Sequence, residues 1–237
     1  MSKSKWVSTV EMKDNLLENH EMEIIGRLVD ASNATLLCSL PGDQKVIYKP
    51  IQGERPLWDF TDGNLASREV AAFYISELGK FHLVPETILR DGPFGLGAVQ
   101  IWIETDQELD VVEKAQSFDT QIRQMALFDA VINNADRKFG HVLISQDGKI
   151  FGCDHGVSFH VEDKLRTVIW QFADQELVAE EVEQLRDLAK SIDDSKLENY
   201  LTALEVGALR GRIEKLLTEK RFPLPNPNWP AIPWPPY

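Results

Sequence analysis

Short apolar runs broken by turn-forming residues dominate the first quarter of the chain. Glu23-Ile24-Ile25-Gly26-Arg27-Leu28-Val29, Thr35-Leu36-Leu37-Cys38-Ser39-Leu40 and Lys45-Val46-Ile47-Tyr48-Lys49 read as strands. Asp30-Ala31-Ser32-Asn33 and Pro41-Gly42-Asp43-Gln44 lie between them, residue types that tolerate turn dihedrals, so an antiparallel meander is expected rather than βαβ units. After an irregular, Pro/Gly-punctuated stretch at 51–63, apolar residues from Leu65 to Leu78 follow helical spacing up to Gly79. Residues 87–90 and 98–103, joined by a Gly-rich turn at 91–97, predict a further hairpin, and the composition turns acidic over 104–117, where a boundary is expected.

Residues 118–133 are apolar almost all round, the pattern of a buried helix. Two short strands follow at 141–145 and 149–153, and residues 174–220 give two helical stretches, one with Leu177, Val182, Leu185 and Leu188 on a face, the other with Leu209, Ile213, Leu216 and Leu217. From Phe222 the chain is rich in Pro and Trp, which blocks helix and sheet and favours an extended path. Such a segment either packs its tryptophans back onto the domain or serves as a ligand for a proline-reading partner. There is no internal repeat. The expected fold is α+β and bilobal, with a small antiparallel sheet and one helix over 1–103, a mainly helical lobe over 104–221, and a tail at 222–237.

Composition narrows the function classes. The 237 residues are 43% hydrophobic and 27% charged, ordinary for a folded domain with a core, and no apolar run approaches the ~20 residues that cross a bilayer. Lys+Arg number 25 against 38 Asp+Glu, a formal charge of −13, the wrong sign for following a phosphate backbone, so nucleic acid is not expected as a partner. Cys38 and Cys153 lie far apart in apolar surroundings, and the start MSKSKWVST lacks the apolar core of a signal peptide. A cytoplasmic protein with unpaired thiols is expected.

The chemistry concentrates in two places in the second half. Asn133-Asn134-Ala135-Asp136-Arg137-Lys138-Phe139-Gly140-His141 lies between the buried helix and an apolar strand, and Cys153-Asp154-His155-Gly156 follows the next hairpin. A polar loop in such a position is costly to desolvate unless it is used. Phosphoryl transfer from ATP needs a carboxylate near the acceptor hydroxyl, a carboxylate on metal, and cations on the phosphates. Asp136 suits the first role, Asp154 the second, and Lys138 points along the same loop toward the γ-phosphate. The interval from Asp136 to His141 is that of the D-x-x-x-x-N catalytic loop, and Asp154 begins a DxG. Upstream, Lys49 ends an apolar strand and Glu69 sits in the following helix, a pair able to clamp phosphates. Ser32, Asn33 and Ala34 offer donors to phosphate oxygens, although no G-x-G-x-x-G is present.

Taken singly, Lys49 reads as a solvated charge, Glu69 as a helix-surface residue beside Arg68, and the two aspartates as turn formers. Their order and spacing together point to a kinase-like site. A zinc site from His141, Asp154, His155 and His160 is the competing reading, but the spacing matches no familiar zinc motif.

The pieces VIYKP (46–50), GERPLWDF (53–60), SREVAAF (67–73), NNADRKFGHVLI (133–144) and CDHGVSFH (153–160) resemble the phosphatidylinositol 3-/4-kinase-like catalytic domains, particularly their small bacterial branch, and more distantly the HipA-type serine kinases. The resemblance spans residues 22 to about 170. It implies Lys49 as the phosphate lysine, Glu69 as its helix partner, Asp136 as the catalytic aspartate, Asp154 as the metal-binding aspartate, and Gln100 to Glu104, with Trp102 and Ile103, as the hinge against adenine. ATP and Mg²⁺ or Mn²⁺ are the implied cofactors. Two positions depart from the family pattern: His141 stands where asparagine usually binds metal, and Lys138 where lipid kinases carry histidine. Imidazole suits Mn²⁺ better than Mg²⁺. The expected activity is metal-dependent phosphoryl transfer from ATP to a protein Ser/Thr or small-molecule hydroxyl. The acidic charge argues against a lipid acceptor. A catalytically silent nucleotide-binding module and nucleotidyl transfer are the alternatives.

Overall fold

Alternation of side chains across a sheet builds the first lobe of the computed structural model, which describes residues 16–28, 33–60 and 62–237. β1 (Glu23–Arg27), β2 (Leu36–Leu40), β3 (Gln44–Pro50), β4 (Thr87–Gly92) and β5 (Gly95–Ile101) form one antiparallel sheet in the order β1-β2-β3-β5-β4. Leu36, Cys38 and Leu40 of β2, Val46 and Tyr48 of β3, and Val99 of β5 pack on one face with Leu17 from the short helix α1 (Leu16–Asn19) and Met22. Because successive residues of a strand point to opposite faces, Ile47 and Lys49 are turned the other way. That face packs on α2 (Leu65–Leu78), with Ala66 and Val70 of the helix against Ala98 of β5.

Two details of the sheet differ from expectation. β1 ends at Arg27 and is bulged between Ile24 and Gly26, which leaves both its isoleucines exposed; Val29 and the turn residues 30–32, Ser32 among them, lie outside the described residues. The glycines at 91–97 belong to the ladder, and only Pro93 and Phe94 make the turn. The Tyr48 ring explains them. A Cβ on Gly92 or Gly97 would approach it to 2.7 Å, and at Gly97 would also reach the Lys49 carbonyl at 2.5 Å. The Tyr48 hydroxyl donates to the Gly95 carbonyl (2.6 Å) and accepts from the Phe94 N–H (3.2 Å), fixing the hairpin from inside.

The second lobe is mainly helical. The acidic connection hides α3 (Val111–Ala115), whose first N–H groups are capped by Asp110. α4 (Thr120–Ile132), capped by Asp119, is buried around most of its circumference and ends at Asn133 in the left-handed conformation. The hairpin β6 (Val142–Ile144) and β7 (Ile150–Gly152) follows. The C-terminal stretch holds three helices where two were expected: α5 (Ala179–Ser191), α6 (Asp194–Leu197) and α7 (Ala203–Glu219). The caps explain the division, since Asp193 starts α6, and Thr202 with Glu205 forms a capping box that starts α7. Leu177 precedes α5 and is buried outside any helix.

Of the two readings of the Pro/Trp-rich tail, packing onto the domain is the one observed. Asn226 Nδ2 donates to the Asp163 carbonyl (2.9 Å), the Ala231 carbonyl accepts from Thr167 N (3.0 Å) and Trp170 Nε1 (2.8 Å), and the Pro236 carbonyl accepts from Phe139 N (2.9 Å). Both cysteines are free thiols. Among the described residues no helix is long and apolar enough to cross a membrane.

α2 joins the lobes. Its Ala71, Ala72 and Ile75 belong to the same core as Phe128 of α4 and Leu209 of α7. Its Arg68 is buried, with Nε and Nη2 donating to Glu205 Oε1 of α7 (2.9 and 2.7 Å) and Nη2 also to the Asp62 carbonyl (2.6 Å). A buried charge stripped of its partner costs about 3–5 kcal/mol, whereas replacing both partners by apolar groups costs much less. Glu205→Ala is therefore expected to lower unfolding stability in urea by about that amount, and Arg68→Met/Glu205→Leu by clearly less. A Glu205→Ala midpoint at the wild-type value would show that this pair does not hold the lobes.

Candidate active site

The strand alternation that turns Lys49 toward α2 brings it opposite Glu69, one turn into the helix. Lys49 Nζ hydrogen-bonds to Glu69 Oε1 and to Asp154 Oδ1, the latter at 2.8 Å. Burial alone disfavours the ammonium, but the Asp154 and Glu69 carboxylates outweigh it and hold the lysine pKa above its ordinary value. In return Lys49 pulls the Asp154 carboxyl well below the usual carboxylate range, against the effect of burial. Glu69 is almost wholly buried, and its Oε2 accepts the backbone N–H of His155 at 3.0 Å, so the Asp-His-Gly turn and α2 are fastened at the same carboxylate.

Asp154 takes a left-handed backbone, φ +59°, a conformation that aspartate tolerates better than most residues. Gly156 lets the turn pass close to α2, since a Cβ there would meet Leu65 Cβ at 3.0 Å. The first N–H groups of α2 are occupied: Glu54 accepts from Leu65 N (2.9 Å) and Ala66 N (2.8 Å), and Asn64 from Ser67 N (2.7 Å). Asn33 Oδ1 accepts from Arg55 N (2.9 Å) and Ala34 N donates to the Gly53 carbonyl (3.2 Å), which sets the residues after the first turn beside the loop that carries Glu54. Asn33, Ala34, Thr35, Lys49, Glu54 and Glu69 thus line one cleft with Asp136, Asp154, Gly156 and Val157 from the second lobe.

The loop carrying Asp136 is shaped from below by Arg137, which is fully buried. Its Nε and Nη2 bind the equally buried Asp129 of α4 (3.0 Å to Oδ2, 2.9 Å to Oδ1). Nη1 donates to the carbonyls of His141 and Cys153, both at 3.2 Å, and Nη2 also to His155 Nε2 at 2.7 Å. A guanidinium only donates, so His155 Nε2 accepts and its proton sits on Nδ1. Burial and Arg137 push the His155 pKa well below its ordinary value, and the ring is neutral.

Asp136 faces the cleft with its side chain 27% exposed, Lys138 Nζ lying 3.3 Å from Oδ2. Burial raises its pKa, with Lys138 opposing. His141 Nδ1 lies 2.9 Å from the Asp136 carbonyl oxygen, which can only accept, so Nδ1 carries the proton. Its Nε2 then presents a lone pair to Asp154 Oδ2 at 3.4 Å, and burial lowers the ring's pKa, which favours this neutral form. A nitrogen lone pair facing a carboxylate oxygen is a donor set suited to a cation.

His155 and His160 point elsewhere, the first to Arg137 and the second, through Nε2, to the Asp59 carbonyl (2.9 Å), and among the described residues no three His, Cys, Asp or Glu side chains form a metal-holding group. Trp102 and Ile103 follow β5, half-buried and outside the lining around Lys49; the Trp102 N–H donates to the Lys45 carbonyl at 3.1 Å. Cys153 sits beside Asp154, and burial pushes its thiol up to about 12. The residues that sequence reasoning passed over are Arg137, Asp129 and Glu54, and His155, weighed there as a zinc ligand, instead accepts from Arg137. The one available signal was Asp129, the single charge within an otherwise apolar run from Met125 to Ile132.

Among solved structures, the Golgi casein kinase with manganese and ADP bound superposes with a TM-score of 0.56, covering 86% of this chain and 73% of that one at 12% identity. The kinase CtkA of Helicobacter pylori gives 0.50 over 87% of this chain and 94% of its own, also at 12% identity. The fold is therefore the bilobal α+β fold of kinases. No protein-family model matches the chain. Protein Rv2133c of Mycobacterium tuberculosis is 38% identical over 261 aligned positions, which cover 93% of this chain and 94% of that protein. At that identity and coverage, the chain belongs to the same family as Rv2133c.

Proposed function

We propose that the protein is a metal-dependent phosphotransferase that moves the γ-phosphoryl group of ATP to a hydroxyl acceptor, and that it stands with the phosphatidylinositol 3-/4-kinase-like enzymes. The observation that carries this reading is the convergence of Lys49 from β3, Glu69 from α2, Asp136 from the loop after α4 and Asp154 from the turn after β7 on one cleft. The nucleotide and manganese in the Golgi casein kinase structure support it by analogy of fold.

In this reading Lys49 binds the phosphates, held in place by Glu69, while Asn33 and the adjoining backbone flank them; Ser32 is proposed with them from sequence alone. Trp102 and Ile103 face the adenine. Asp154 Oδ2 and His141 Nε2 would hold Mg²⁺ or Mn²⁺, and the neutral, Nδ1-protonated ring fits that task. The bound ion supplies charge neutralisation on the phosphate oxygens. Asp136 orients the acceptor hydroxyl and takes its proton as the acceptor oxygen bonds to the γ-phosphorus. The bond from that phosphorus to the β–γ bridging oxygen breaks, and ADP leaves with the electron pair. The raised pKa of Asp136 suits a proton acceptor, and Lys138 beside it faces the transferred group.

Asp136→Asn is expected to lower transfer by about 10²- to 10⁴-fold with nucleotide binding retained, and Asp154→Ala to abolish it, followed as ADP release and as the mass gained by the acceptor. Gain of a nucleotidyl mass instead would replace phosphoryl by nucleotidyl transfer. Nucleotide binding with no turnover under either metal would identify a silent binding module.

The imidazole at 141 predicts a metal preference. Turnover with Mn²⁺ should exceed that with Mg²⁺, and His141→Asn should reverse the order; an unchanged ratio in the variant would remove His141 from the metal.

A further inference from the structure

We infer that the acceptor is a small hydroxyl compound and not a polypeptide, because residues 226–237 already occupy the backbone edge beside Asp136 on which an extended peptide would pair. The inference rests on the phosphotransferase reading. An acceptor hydroxyl must reach the Asp136 carboxylate. The backbone next to it is doubled: Arg137 forms a parallel bridge with Thr167, through Arg137 N to the Arg166 carbonyl and Val168 N to the Arg137 carbonyl, both 3.1 Å. On the outer side of this pair, the N–H groups of Thr167 and, two residues past Arg137, of Phe139 point toward the tail. An extended peptide would use such donors, because main-chain hydrogen bonds give affinity whatever the side chains.

Both donors are taken within the chain, by the carbonyls of Ala231 (3.0 Å) and Pro236 (2.9 Å). Side chains fasten the segment on either side. Asn226 Nδ2 reaches the Asp163 carbonyl, Trp170 Nε1 reaches Ala231, and the Trp229 ring lies 5.0 Å from Lys164 Nζ. Lys164 in turn pairs with Asp59 at 2.9 Å and lies 5.5 Å from the Trp58 ring, so the loop from the first lobe closes toward the same point. Seven of the sixteen residues from 222 to 237 are proline. A proline-rich strand accepts through its carbonyls and offers few N–H groups outward, so it ends the edge instead of extending it. A tethered strand also competes at a local concentration in the millimolar range, which a free peptide does not match. Asp136 itself is half-buried but lines the cleft, and a compact molecule reaches it there without displacing the segment.

The test uses the full chain with radiolabelled ATP and Mn²⁺. Dephosphorylated casein serves as the polypeptide probe, and a pool of glycerol, myo-inositol and ribose as the small one. Asn226→Ala/Trp229→Ala/Trp170→Phe removes the side-chain fastenings, and hydrogen exchange at Thr167 and Phe139 reports release of the segment. Wild-type protein should turn over ATP, onto the pool or onto water, yet put no more label into casein than Asp136→Asn does. The released variant should exchange faster at both amides and label casein at least about tenfold more. Casein labelling by the wild type, unchanged exchange in the variant, or faster exchange without casein labelling would each overturn the inference. Absence of any ATP turnover by the wild type would instead overturn the phosphotransferase reading.

Discussion

A guanidinium sealed away from water organises the second-lobe side of the cleft. All five N–H groups of Arg137 are engaged: by the Asp129 carboxylate, by the carbonyls of His141 and Cys153, and by the ring of His155. The two carbonyls belong to the residue that faces Asp154 and to the residue that precedes it, so the spacing between the loop and the Asp-His-Gly turn is set by one planar group. A lysine has neither the fork nor enough donors to replace it. Its charge is admissible in the core because Asp129 is buried with it, and the polar groups around it meet the remaining donors.

The first-lobe side depends on α2 in a similar manner. Adjacent residues of that helix face different partners: Glu69 meets Lys49 and the His155 amide, and Arg68 meets Glu205 of α7. The helix that positions the lysine is thus bolted to the far lobe, and its N-terminus is closed by Glu54 from the loop beside Asn33. A shift of α2 would disturb the lysine, the Asp-His-Gly turn and the rim of the cleft together.

Much of this was legible in the sequence where local chemistry decides. The strands at 36–40 and 44–50, α2 and α4 follow from turn residues, periodicity and an apolar run. Where a residue serves a distant partner, local reading fails. The glycines at 92 and 97 look like turn formers and are instead clearance for Tyr48. α3 hides in an acidic stretch because its cap is itself acidic, and the break before α7 rests on a capping box that an unbroken Glu/Leu/Lys pattern obscures. Lys49, Glu69, Asp136 and Asp154 drew notice as residue types at a telling spacing, and they line one cleft. Arg137 and Asp129 did not, because a buried charge acquires meaning only from its neighbours in space. The tail admitted two readings until its carbonyls were seen to meet Thr167, Trp170 and Phe139.

Cys153 flanks Asp154, a position where a reactive sulfur would expose the site to oxidants and electrophiles. Burial pushes its thiol up to about 12, which disfavours the nucleophilic thiolate at neutral pH relative to a free cysteine. The same packing that seats Arg137 beneath the turn therefore also holds the neighbouring sulfur in its less nucleophilic thiol form.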